Sequence, residues 1–189
     1  LYKLRMKERF DQQINFLDKT ILYEKLKSVN FDYNKKEIEL RNIPEKYHET
    51  IYKYYYSKLK TPSELQKKVF KWLVEGIRTK LNKVDMKFKF LLDRLNIAIY
   101  GDDVDNGYPH TNKDIIFFNE WFFENLIRYY NENDLKTAIN ECGMILIHEI
   151  IHILQRKMPG LFNNFYNTHW KFEKLKTIKN KKLLDKNIR

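Results

Sequence analysis

The sequence predicts an α+β fold, mostly helical, with a small antiparallel sheet or hairpin beside one central helix. Three observations carry that prediction. Apolar residues recur at helical spacing through most of the chain. Two short β-prone runs, 96–100 and 115–118, enclose a stretch dense in Gly, Asp and Asn. Finally, 143–154 is apolar at every position but three, so the helix it forms is expected to be buried nearly all round.

In chain order, residues 1–29 read as an amphipathic helix broken near Asp18-Lys19-Thr20, and 44–59 as another. They are expected to form a helical lobe over 1–60, packed as one unit with a second domain over 61–189. Tyr52, Tyr54, Tyr55 and Tyr56, interleaved with Lys53 and Lys58, could stack nucleobases, but the expected use is to pack the two parts together. Thr61-Pro62-Ser63-Glu64 reads as a capping box with Pro at the first helical position. Leu65, Val69, Trp72, Leu73, Gly76 and Ile77 supply the apolar stripe of that helix, which should run to about Asn82. Asn96-Ile97-Ala98-Ile99-Tyr100 is the better strand within 88–100, and Ile115-Ile116-Phe117-Phe118 is the second. The acidic loop between them fails as a calcium site: with Gly107 as its sixth residue, Val104 replaces an oxygen ligand and Lys113 the bidentate Glu. A helix over 119–130 follows, then the central helix, N-capped by Asp134 and reaching Arg156. Pro159-Gly160 ends it, and a last helix covers 162–176.

At 189 residues, with 43% hydrophobic and 15% aromatic content, the chain can bury a sizeable core and does not resemble a disordered segment. No stretch reaches the roughly 18 uninterrupted apolar residues of a membrane span, and no signal peptide is expected. The chain starts at Leu1 without an initiator Met and reads as a trimmed form of something longer. Cys142, the single cysteine, excludes an internal disulfide and a cysteine-based zinc ribbon, and fits an intracellular, reducing compartment. The net charge of +11 would suit nucleic acid or acidic substrates. Much of the excess lies in the tail, where Lys171, Lys174, Lys176, Lys179, Lys181, Lys182, Lys186 and Arg189 face only Glu173 and Asp185, the pattern of a solvated helix face.

The three polar positions of the central helix are His148, Glu149 and His152, in the spacing HExxH. Histidines four apart project from one helix face, so both imidazoles can reach a single ion with the glutamate beside them. Zn²⁺ suits such a pair: a catalytic site uses three protein ligands and leaves a position for water, and Glu149 is placed to take that water's proton. Hiding two imidazoles and a carboxylate unpartnered would cost several kcal/mol, which a metal relieves. His48-Glu49-Thr50-Ile51-Tyr52 begins the same way but ends in Tyr, and reads as ordinary helix surface.

The order strand, loop, strand, helices, HExxH helix, turn, helix resembles the zincin metallopeptidases over roughly 88–176. Gly107-Tyr108-Pro109-His110-Thr111 and the run from His148 to Arg156 are similar to uncharacterised zinc peptidases of large DNA viruses and some bacteria. The resemblance implies a zinc-dependent endopeptidase acting on a protein or peptide, with a strand edge, here expected at 115–118, pairing with the substrate backbone. It also implies a third ligand after the motif. The metzincin extension is absent, since Gln155 replaces its Gly and Met158 its final His. Gluzincins take a later Glu, for which Glu173 qualifies, and Spartan-like and SprT-like proteases a later His, for which His169 qualifies and is favoured. A ligand beyond residue 189 is a further alternative. Arg156, one turn past His152, Tyr166 and His110 are candidate donors to the oxyanion, each with a competing structural role. Two rival readings stand beside the peptidase: a DNA-associated Spartan-like protease, and a non-catalytic zincin-like module.

Overall fold

The structure, a computed structural model, describes residues 14–17, 19–27, 33, 35–81, 92 and 94–172. Its centre is strand β3 (Leu95–Tyr100), and the other strands are best placed relative to it. β5 (Ile115–Asn119) pairs with it in parallel, with Asn96 opposite Ile115 and Tyr100 opposite Asn119. The other edge of β3 is shared by β1 (Ile14–Phe16), parallel, and β2 (Leu59–Lys60), antiparallel. β4 (His110–Asn112) completes the order as an antiparallel hairpin partner of β5. Its turn is tight enough to hold Lys113 at φ +51°.

The α+β class stands, but the sheet is mixed instead of antiparallel, with its two central strands β3 and β5 paired in parallel. The reason is visible in the strands: β3 and β5 are buried at every position, the continuous apolar reading of strands covered on both faces. It follows that 115–118 is not a sheet edge. Strand β5 is held by β3 on one side and β4 on the other.

Helices cover both faces. Leu95, Ile97, Ile99, Ile116 and Phe118 face one core, shared with α4 (Glu64–Leu81) and α5 (Glu120–Asn131). The stacked pair Phe118 and Phe122, 4.0 Å between ring centroids, sits there with Phe70. Burial of each such ring is worth about 1.5–3 kcal/mol. The alternate residues Ala98, Tyr100, Ile115 and Phe117 face a second core, made with α1 (Lys19–Lys27), α2 (Lys35–Leu40) and α3 (Ile51–Lys58). Tyr54 and Tyr55 are buried in that core, and Tyr52 and Tyr56 meet the edge of Tyr23, so the tyrosine run packs α3 onto the sheet side of the molecule.

Local chemistry sets the ends. The cap of α4 is Ser63, not Thr61: Gln66 N–H donates to Ser63 Oγ and the Gln66 side chain accepts from Ser63 N–H, a reciprocal box two residues later than the sequence suggested. Asn119 caps α5 by accepting from Phe122 N–H. In the reading of 1–29 as helix, β1 was missed; Ile14-Asn15-Phe16 instead lies along β3. Residues 1–13, Glu173 and the Lys-rich tail beyond Phe172 lie outside the described residues.

By compactness the chain falls into two units. One unit is 1–153 and the other 154–189. β1 and β2, both before residue 61, are tied by hydrogen bonds to the central strand of the first unit.

Candidate functional site

The motif helix begins as α6 (Leu135–Ala138), whose N-cap Asp134 accepts from Thr137 N–H. It widens into a five-residue π-turn, Ile139–Gly143, and continues as α7 (Met144–Lys157). Two glycines let it approach α4: a Cβ on Gly76 would lie 2.6 Å from Leu135 Cδ1, and one on Gly143 would lie 3.2 Å from Ile77 Cδ1. Ala138, Ile139, Cys142, Leu146, Ile150 and Ile153 face the core. The run Leu135–Lys157, mean hydropathy 1.3, is long and apolar enough by length and composition to cross a membrane, and these six residues turn much of that apolar surface into the protein interior. Burial pushes the Cys142 thiol up to about 12, so it is an inert core residue.

Two turns of α7 bring the motif together. His148 Nε2 and His152 Nε2 are 2.9 Å apart, their rings nearly perpendicular at 88°. Two nitrogens bound to one tetrahedral zinc would be separated by about 3.3 Å, so the pair is near the spacing a shared ion needs. Burial, then the neighbouring His152, hold His148 below the usual imidazole range. That keeps it neutral, the form that ligates. Glu149 is 4% exposed, held at the inner side of the same turn.

His148 and Glu149 line a cavity of about 980 Å³ together with Asp102, Asn119 and the loop at Asn106 and Gly107. Its remaining wall is apolar, from Tyr108, Trp121, Met144 and Ile147 among others.

The loop that closes this cavity is anchored on the opposite face of the sheet. Asp105, Asn106 and Gly107 take φ of +50°, +57° and +74° in succession, a costly conformation for the first two. Buried hydrogen bonds hold it. Arg41 Nη1 lies 2.7 Å from Asp105 Oδ1, and Tyr55 donates its hydroxyl at 3.0 and 3.1 Å to the same carboxylate. Tyr100 OH and His110 Nδ1 approach Asp105 Oδ2 at 3.4 and 3.1 Å, and lie 2.6 Å from each other. Asn106 donates to Leu40 O and accepts from Asn42 Nδ2, tying the loop to the end of α2. Burial, and beyond it the Asp105 charge, raise the Tyr55 and Tyr100 phenols, which therefore stay protonated as donors.

His110 is thus placed away from the motif. Its ring stacks on Phe117 at 5.0 Å and packs against Tyr100 and Tyr55, on the sheet face opposite α7, so an oxyanion role for it at the motif does not follow from its position. Burial first, opposed by Asp105 and reinforced by Arg41, lowers its imidazole to about 4. The folded state therefore prefers neutral His110, against an unfolded value of about 6.5. The sign follows: the stabilisation is whole above about pH 6.5 and is lost as pH falls toward 4, by up to ~3 kcal/mol. Thermal melts between pH 4.5 and 7.5 should show wild-type stability falling on acidification more steeply than that of a His110→Gln variant, with Arg41, Asp105, Tyr55 and Tyr100 unchanged; parallel curves would show that His110 titrates normally.

The second unit carries the remaining sequence candidates. Its α8 (Pro159–His169) starts with Pro at its first turn, where the missing N–H costs nothing. Gln155 donates its amide to Tyr166 OH, and the Tyr166 ring meets Phe162, Phe165, Trp170 and Phe172. His169 ends α8, exposed, with its ring 5.0 Å from Phe165. Arg156 is exposed in the last turn of α7. Among the described residues no group of three His, Cys, Asp or Glu is close enough to hold a metal, and Glu173 lies outside them.

Sequence reasoning found the motif but not the wall of the cavity. Trp121 and Met144 had a signal, large apolar side chains on helix faces that the core does not need, yet which elements they would meet is a tertiary fact. No family model matches the chain, and no curated protein or solved structure is significantly similar to it.

Proposed function

We propose that the protein is a zinc-dependent metalloendopeptidase with a zincin-like active-site helix. The observation that carries this reading is the convergence of the His148 and His152 Nε2 atoms at 2.9 Å, beside the buried Glu149, with His148 and Glu149 on the wall of a cavity. Two neutral imidazoles are a borderline-soft nitrogen pair that suits Zn²⁺ better than the hard cations, so the donors present fit the ion. His169 or Glu173 would complete the set. When bound, the ion supplies Lewis-acid polarisation to a water molecule and to the scissile carbonyl.

The chain's own residues do the rest. Glu149 accepts a proton from the attacking water and delivers it to the leaving amine, a shuttle worth about 10²–10⁴ in rate. An extended substrate would pair its backbone with β4, the strand at the end of the sheet order, which follows directly on Tyr108 and Pro109 of the cavity. Arg156 and Tyr166 are the proposed donors to the tetrahedral oxyanion. The DNA-associated reading draws on net charge and on a tail outside the described residues, and among the described residues no Lys or Arg lines the cavity.

Metal analysis of the purified protein tests the proposal. About one zinc per chain is expected, lost from both the His148→Ala and His152→Ala variants, with peptide hydrolysis abolished by chelation and restored by added Zn²⁺. A wild-type protein that takes up no stoichiometric zinc would sink it.

A further inference from the structure

The cavity beside the motif has a chemical character that the overall charge does not announce. Three large apolar side chains stand on its wall and remain open to solvent: Tyr108 is 66% exposed, Trp121 53% and Met144 59%. They come from three separate elements, the loop after β3, the first turn of α5 and the first residue of α7. Single exposed apolar residues are ordinary, but several gathered on one concave wall mark a binding surface. The same cavity contains His148 and Glu149, so whatever the wall holds lies beside the reacting groups.

The polar residues of the wall are already engaged with the protein. Asp102 Oδ1 accepts from Trp121 N–H, which also fixes the start of α5 under the indole. Asn119 Oδ1 accepts from Phe122 N–H, and Asn106 is bonded to Leu40 and Asn42. The charged side chains lining the cavity, Asp102 and Glu149, are both acidic. An acidic substrate side chain would therefore meet two acidic and no basic side chains on the wall, in a protein whose net charge is +11. A large apolar one would bury the exposed faces of Trp121, Tyr108 and Met144 at no such cost.

We infer that the cavity selects peptides bearing a large apolar residue, aromatic or branched, and rejects acidic ones, with Trp121, Tyr108 and Met144 as the selecting residues. The inference rests on the peptidase reading for its meaning as substrate selection, but the binding it asserts needs neither metal nor turnover. At about 980 Å³ the cavity is large enough for a segment of several residues, so the apolar residue is one anchor within an extended peptide. Gly107 in the loop wall has φ +74°, and a Cβ there would meet Asp102 O at 3.2 Å, so this bend of the wall requires glycine.

The test uses the full wild-type chain with metal removed by a chelator, so that no cleavage intervenes and Glu149 keeps its charge, and three blocked peptides: acetyl-Gly-Phe-Gly-amide, acetyl-Gly-Ala-Gly-amide and acetyl-Gly-Glu-Gly-amide. Binding is followed by amide chemical shifts of Gly107 and Ile147 and by the Trp121 indole resonance. The Phe peptide should bind about tenfold or more tightly than the other two, and Trp121→Ala should bring it to within about twofold of the Ala peptide. Because Trp121 and Met144 are more than half exposed, these variants should keep the wild-type fold, checked by circular dichroism. A second variant gains function: Met144→Lys puts a cation on the wall and should raise affinity for the Glu peptide above that for the Ala peptide. Equal binding of the three peptides by the parent, or an unchanged Phe preference in Trp121→Ala, would overturn the inference. Either result would leave zinc binding and hydrolysis untouched, whereas a protein that holds no zinc yet binds the Phe peptide selectively would retain the inference and lose the peptidase reading.

Discussion

Asp105→Ala is expected to destabilise the protein by about 3–5 kcal/mol, the cost of removing one partner from a buried ion pair. The carboxylate is 5% exposed and is approached by a guanidinium, two phenols and an imidazole. Deleting it leaves Arg41 without the charge it faces and removes the carboxylate to which Tyr55 donates, on a backbone whose φ of +50° an alanine tolerates poorly. Urea unfolding of the pair Asp105→Ala and Tyr55→Phe would separate these effects. Tyr55→Phe removes one donor and should cost about 1–1.5 kcal/mol. A loss below about 1 kcal/mol for Asp105→Ala would mean that the four donors re-pair or reach water, and that the cluster is not what holds the loop.

The Glu149→Gln substitution is expected to lower kcat for peptide hydrolysis by about 10²–10⁴ while leaving bound zinc and the melting temperature near wild type. Gln matches Glu in shape, so the buried site at 4% exposure stays filled, but an amide cannot take a proton from water. The comparison with His148→Ala is what makes the result informative: that variant should lose metal and activity together. If Glu149→Gln also lost its zinc, the carboxylate would be supporting the ligands instead of moving a proton. Undiminished hydrolysis would remove Glu149 from the chemistry, and the non-catalytic reading would gain if no hydrolysis were found in the wild type at all.

What could be read from the sequence tracks how local the determining physics is. His148, Glu149 and His152 were legible because a helix of 3.6 residues per turn fixes their relation within two turns. The helix cap at Asp134 was legible for the same reason, its side chain bonding three residues on. Strand β1 was not, because Ile14-Asn15-Phe16 is too short to show a period and earns its strand conformation from β3, some 80 positions away as the Asn15 and Asn96 side-chain contact records. The placement of β5 between two partners was misjudged as an edge, although its unbroken apolar run was the available sign of a covered strand. The Asp105 cluster gathers residues 41, 55, 100, 105 and 110 from separate elements, and no spacing in the chain foretells it.

The π-turn at Ile139–Gly143 gives the motif its direction. Such a turn contains one residue more than an α-helical turn would, and one residue is worth about 100° of rotation. The anchors before it, Leu135 and Ala138, are set against α4, so everything after it is swung by that angle relative to them. The same five-letter motif, with the same spacing, would present its histidines to a different neighbour in a helix lacking the extra residue. Aim is therefore encoded upstream of the chemistry, by a count of residues rather than by their kind, and single-residue insertions or deletions in this stretch redirect the site without altering any residue in it.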